Sequence, residues 1–166
     1  EDGGLTLNGT VGTVIVLGLM SLLPSLLLLT TSFTRIYIVL HLLRQALGTQ
    51  NTPPGHLLAA MALLLSAAVM APTLDEVRGL AVDPWIQGQI EDGEMLQKAT
   101  IPMRAFMLSQ VRPEDIDLFV GISRTPTPQS PQDVSNTVLM SAFVTSELRT
   151  AFEIGFAVFL PFIIID

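Results

Sequence analysis

The chain has 166 residues, 49% of them hydrophobic and only 14% charged, with a net charge of −7 and a mean hydropathy of +0.57. Average soluble domains carry roughly 25% charged residues, so an ordinary soluble domain is a poor fit. The acidic balance excludes the basic footprint of a nucleic-acid binder. The lack of cysteine excludes a disulfide framework and thiolate chemistry. Two histidines, His41 and His56, are too few for a usual zinc site.

The start, Glu1-Asp2-Gly3-Gly4, is acidic and not the basic opening of a signal peptide, so none is expected unless one was removed before Glu1. From Gly3 to Thr34 there is no Asp, Glu, Lys or Arg. About 20 helical residues cross the roughly 30 Å core of a bilayer, and this stretch is long enough. Pro24 should kink or divide it. Ser21, Ser25, Thr30, Thr31 and Ser32 can return hydrogen bonds to the carbonyls that such a break frees.

Arg35 to Pro54 begins as a helix bearing Arg35, His41 and Arg44, then stops at Gly48 and Asn51-Thr52-Pro53-Pro54. His41 reads as a neutral, packed histidine near Arg44, with pH sensing as the sharper alternative. A second charge-free run, Gln45 to Leu74, contains an apolar helix expected from Gly55 to Ala71 and ended by Pro72. Its small residues, Ala60 and Ala67 among them, predict close packing against another helix.

Charges resume at Asp75, and Pro72 to Asp133 holds ten acids and five bases. Thr73-Leu74-Asp75-Glu76 matches a capping box, Asp83-Pro84 a second helix start, and Arg112-Pro113-Glu114-Asp115 a third. Met95, Ala99, Met103, Phe106 and Met107 share one helical face and predict a small core. Asp115 and Asp117 read as a solvated helix face. Ser123 to Thr137, with three prolines among small polar residues, reads as a linker.

Val138 to Asp166 is a third hydrophobic helix carrying Glu147, Arg149 and Glu153. Charges within a spanning-length helix are costly and usually face protein or water. Arg149 and Glu153 are four apart and can pair. Glu147 points elsewhere, and Arg35 or Arg44, of the same or an adjacent copy, are its candidate partners. The alternative puts Glu147 and Arg149 at the water interface and only Glu153 deeper. The helix stops in mid-run, as in a chain truncated at its C-terminus.

The fold class expected is therefore all-α: an integral membrane helical protein with long hydrophobic helical hairpins and a small extracytoplasmic helical domain. Residues 1–72 form the N-terminal hairpin, with its turn at 35–54. Residues 73–137 form the acidic domain with the linker 123–137, and 138–166 the third helix. The short positive turn should lie on the cytoplasmic side and the acidic domain outside. Phosphate-loop, nucleophile-elbow and zinc-protease motifs are absent from the sequence, so no catalytic, cofactor-binding or metal residue is assigned.

The segment T-S-F-T-R-I-Y-I-V-L-H-L-L-R-Q-A-L-G-T-Q-N-T-P-P (31–54) resembles the FliP family of flagellar export-gate proteins. Two further blocks agree: Pro102 to Leu108 with Asp115 to Phe119, and Ala142 to Phe152 with Ile154 to Phe156 and Pro161 to Asp166. The resemblance runs from about Leu5 to Asp166. The SctR group of virulence type III secretion shares much of it, and R-Q-A-L-G-T-Q leans to the flagellar branch. It implies a non-enzymatic, bacterial inner-membrane subunit without cofactor, in the flagellar basal body. It implies a homo-oligomeric ring that forms with FliQ and FliR the core of the gate, with FlhA and FlhB as further partners and unfolded flagellar proteins as cargo. Family members continue with a fourth hydrophobic segment and a Met-rich loop beyond the position of Asp166. The Thr125 to Asp133 loop is richer in proline than the family pattern, where loops tolerate variation. The rival classes are a membrane enzyme using Glu147, Glu153 or Asp166 as acid or base, and an ion or proton channel with the same carboxylates as relay.

Overall fold

In a computed structural model of the protein, residues 9–49 and 52–165 are described, and Glu1–Asn8, Gln50, Asn51 and Asp166 lie outside them. The Asn51 part of the expected helix stop and the Asp166 candidate therefore lie outside the described residues. Those residues fold as helices, with no strand among them. In chain order they are α1 (Gly9–Leu29), α2 (Phe33–Ala46), α3 (Gly55–Val77), α4 (Asp83–Ile86), α5 (Asp92–Gln110), α6 (Pro113–Ser123) and α7 (Asn136–Ile165).

Pro24 does not divide α1, which runs through it to Leu29. The break comes at Thr30-Thr31-Ser32 instead. There the threonine hydroxyls donate to carbonyls of the last turn, Thr30 Oγ1 to Leu26 and Thr31 Oγ1 to Leu28, both at 3.0 Å. Those bonds compete with continuation of the helix and favour its end. Leu47 then caps α2, and Gly48 follows at φ +68, a left-handed conformation that costs glycine nothing. The chain turns and α3 returns antiparallel to α2. Arg44 bonds the Pro53 carbonyl at one end of the pair, and Ser32 bonds the buried hydroxyl of Ser66 at the other, at 3.1 Å.

Pro72 does not end α3 either. The helix continues to Val77 and, through a wide π turn at Arg78–Val82, into α4. Thr73 therefore sits inside a helix and caps nothing. Proline at 72 removes one N–H but holds a helical φ, so burial of Leu58, Ala62, Ser66 and Met70 along one side carries the helix past it. The π turn answers Pro84. In α register the Pro84 ring would meet the Leu80 carbonyl four residues back. In the wide turn the Asp83 N–H reaches the Arg78 carbonyl, five residues back, and the Arg78 and Asp83 side chains face each other at 3.3 Å. This stretch, Gly55–Ile86, is the one helical run among the described residues long and apolar enough to cross a membrane by length and composition.

Pro113 opens α6 at its first position, with Glu114 and Asp115 in its first turn. Arg124, at φ 51, ends it. The proline-rich stretch then runs without regular structure to a single 3-10 turn at Pro131–Asp133. Ser130 and Asp133 cap that turn reciprocally. Arg104 of α5 pins its far end, donating to the carbonyls of Gln132 and Val134 at 3.1 and 2.8 Å and to Asn136 Oδ1. The core gathers Met107, Val134, Val138, Leu139 and Phe143, with Phe106, Ile116, Phe119 and Val120 packed around it. Phe106 and Phe143 meet edge to face, centroids 5.9 Å apart. Of the apolar face expected along Met95, Ala99, Met103, Phe106 and Met107, Phe106 and Met107 are used in this core.

The helix α7 is the spine, packing against α2, α5 and α6. It runs in the same direction as α2: Arg35 meets Glu147, and about two turns on Leu42 meets Gly155. A Cβ at Gly155 would overlap Leu42 Cδ1 and lie 3.2 Å from its Cγ and 3.3 Å from its Cβ. Glycine inside a helix costs about 0.5–1 kcal/mol relative to alanine, so this close crossing explains its presence. Gly155→Ala is expected to destabilise the chain by about 1–3 kcal/mol despite the gain in helix propensity. Leu42→Ala in the same chain should relieve most of the loss, as read from unfolding in detergent. A Gly155→Ala variant as stable as wild type would show that the crossing relaxes freely.

Candidate functional site: an ionic spine on helix α7

Over two turns, α7 presents Ser146, Glu147, Arg149, Thr150 and Glu153, which bind Arg35 of α2 and Arg112 and Asp115 at the start of α6. Glu147 is 1% exposed. Arg35 of α2 holds it in a two-pronged ion pair, Nε to Oε2 at 2.9 Å and Nη2 to Oε1. The same Nη2 donates to Gln110 Oε1 at the end of α5, 3.1 Å away. One guanidinium therefore joins α2, α5 and α7. The planar fork of arginine suits a carboxylate approached this way, and a point-charge lysine would not reproduce it.

Beside this pair lies a second buried acid. Asp115 of α6 has no solvent exposure. It accepts from Ser146 Oγ at 2.6 Å and from Arg149 Nη2 at 2.7 Å. Ser146 in turn accepts the Arg112 backbone N–H at 3.0 Å. Asp115 sits in the first turn of α6, where the helix dipole also favours a negative charge. Outermost, Arg112 grips Glu153 with two bonds of 2.9 and 2.6 Å and reaches Thr150 at 3.3 Å. The bond to Glu153 raises the Arg112 guanidinium above its ordinary pKa. That outer pair is open to solvent, where screening leaves such pairs little weight. The weight of the site rests on the two buried carboxylates, each of which needs its partner.

Of the residues singled out in the sequence, Arg35 and Glu147 are brought together. Arg44 lies elsewhere, with Nη1 on the Pro53 carbonyl and Nη2 on His41 Nδ1, both at 3.2 Å. Arg149 and Glu153 do not pair with each other. Their four-residue spacing permits it, but Asp115 and Arg112 offer shorter-range partners from the α5–α6 corner. The reading of Asp115 as part of a solvated face is overturned: Asp115 is buried and Asp117 exposed. Ala60 and Ala67 lie on the exposed side of α3, and the side turned to the rest of the chain carries Ala62 and Ser66. Arg112, Gln110, Ser146 and Gly155 are further residues of the spine. The one signal for them is adjacency: Ser146 precedes Glu147, and Arg112 precedes the Pro113 helix start.

The arrangement braces helices. Among the described residues no group of His, Asp and Glu could hold a metal ion, and both buried acids are already tied to cations and hydroxyls. Large apolar side chains on α1, α3 and the second half of α7 remain exposed, among them Val14, Leu17, Leu64, Val69, Phe152, Phe156 and Ile164. The class defined is an all-helical protein of membrane-compatible apolar surface, cross-braced by buried ion pairs.

The FliP family pattern matches residues 16–166, and the chain belongs to the FliP family. It is 46% identical over 165 residues to a flagellar biosynthetic protein FliP of Pectobacterium carotovorum, covering 99% of the chain and 64% of that relative. The corresponding protein of Caulobacter vibrioides is 44% identical over 163 residues, covering 98% of the chain and 61% of the relative. That of Bacillus subtilis is 40% identical over 159 residues, covering 96% and 72%. The chain thus spans less than two thirds of the length of several relatives it matches.

Proposed function

We propose that the protein is a structural, non-catalytic subunit of the flagellar type III export gate in the bacterial inner membrane. In this reading it forms with FliQ and FliR the pore for unfolded flagellar proteins, as a homo-oligomeric ring, with FlhA and FlhB as neighbours in the apparatus. The acidic segment 73–137 faces the periplasm and the α2–α3 turn the cytoplasm, following the charge asymmetry of the connections. The observation that carries the reading is the family match over residues 16–166, together with flagellar relatives aligned along nearly the whole chain. The structure adds physical support. Apolar faces on α1, α3 and α7 require lipid or other chains to cover them. The ionic spine gives each subunit a fixed internal geometry, which a ring of repeated contacts requires. Ala60 and Ala67, on the exposed side of α3, are proposed as part of a close helix-packing face between subunits.

Deletion of the gene in its own organism tests the proposal. Flagellar subunits should disappear from the medium and return when the full-length gene is restored. Unchanged secretion in the deletion strain would overturn it.

A further inference from the structure

The chain has a single tryptophan, and it stands at the surface. Trp85 of α4 donates from Nε1 to Asp92 Oδ1 at 2.7 Å, which fixes the ring, yet the residue is 41% exposed. Ile86 beside it is 70% exposed, and Leu80 in the π turn is exposed as well. A rigid indole with its polar edge satisfied and its apolar face open is the kind of residue that anchors contacts between proteins. Elsewhere on the surface the stretch Thr125-Pro126-Thr127-Pro128-Gln129-Ser130-Pro131 is largely exposed. Its ends are tied, at Arg124 by the end of α6 and at Ser130 by the reciprocal cap with Asp133. Proline fixes φ, so such a stretch loses little freedom on docking against an aromatic ring.

From these two surfaces we infer that a second copy of the chain covers Trp85. The proline stretch of one copy lies over Trp85 and Ile86 of the next, with Arg124 beside Glu91. This rests on the homo-oligomeric ring and names one contact within it. Helix α4 packs on α5, α5 on α7 and α7 on α6, so the two surfaces sit on different flanks of one chain. A contact between unlike patches on different flanks is head-to-tail, the kind that closes into a ring.

Charge selects the partner. Seven of the eight bases bind other groups of the chain through their side chains, and Arg124 alone has no side-chain partner among the described residues. On the other surface Glu91 is exposed and likewise unpaired, and Asp92 holds only the indole. The basic start of the proline stretch thus complements an acidic rim beside the tryptophan. The area agrees with a protein partner. The chain exposes 11265 Å², where a compact monomer of 17.9 kDa exposes about 8,000 Å². The surplus, on the order of 3,000 Å², is of the size that a subunit gives up to two neighbours in a permanent assembly.

Cysteine cross-linking of the full-length protein in detergent tests it, with particle size read by light scattering in the same samples. Ile86→Cys and Thr127→Cys in one chain should give a ladder of linked copies with a short bis-maleimide, and each single variant should give none. Arg124→Glu should lower the ladder yield about threefold, the scale of one exposed ion pair, and Glu91→Arg in the same chain should restore it. An oligomer without a ladder would overturn this contact and leave the ring standing. A monomer would overturn the contact and the ring together. A ladder from either single variant would overturn the inference as well, because a patch that meets itself makes a two-fold contact. So would a yield indifferent to both charge changes.

Discussion

Replacing Arg35 with methionine is expected to lower the unfolding free energy in detergent by about 3–5 kcal/mol, the usual consequence of stranding one member of a buried ion pair. Glu147 is almost wholly buried, and Arg35 supplies both of its bonds. Without the guanidinium the carboxylate keeps its desolvation cost and loses its compensation, and Gln110 loses its donor as well. Removing both charges is a different experiment. The Arg35→Met, Glu147→Met double variant should recover much of the loss, because apolar side chains of similar size replace a buried pair at small cost. The four-cornered cycle measures the coupling directly. A single variant as stable as wild type would mean that solvent or another group already satisfies Glu147.

The second large effect is expected at Asp115. Asp115→Ala should cost about 2–4 kcal/mol, since it strands the Ser146 hydroxyl and frees Arg149 from the corner of α5 and α6. Arg149 is 46% exposed and can turn to water, which keeps the figure below that for Arg35. Asp117, two residues on and exposed, provides the control: Asp117→Ala should change stability by about 0.5 kcal/mol or less. Equal effects at the two positions would remove Asp115 from the spine.

These two acids mark where the sequence was legible and where it was not. Composition and charge-free runs indicated a helical, membrane-compatible chain. The helix start at Pro113 and the stop at Gly48 carry local stereochemical rules, and helices begin and end there, whereas Asp83-Pro84 falls inside the run that α3 continues through its π turn into α4. Pro24 and Pro72 failed as breaks because proline holds a helical φ and removes a single backbone bond, and at Pro72 the buried side of α3 outweighs that loss. Glu147 and Arg35 stood out because a charge in an apolar helix is conspicuous. Asp115 did not, because in a segment rich in acids one buried carboxylate has the same local pattern as an exposed one. What separates it from Asp117 is a partner on α7, 31 residues away in sequence. Arg112 and Gly155 were hidden for the same reason: an ion pair across 41 residues and a helix crossing leave no periodic trace.

Under the proposed export role, the pair between α2 and α7 is indispensable to the subunit. Secretion of flagellar subunits by cells carrying Glu147→Arg, measured beside the amount of the protein in the membrane, tests it most directly. Secretion is expected to be lost, because two cations would face each other where Arg35 now holds a carboxylate. Wild-type secretion from Glu147→Arg would contradict it.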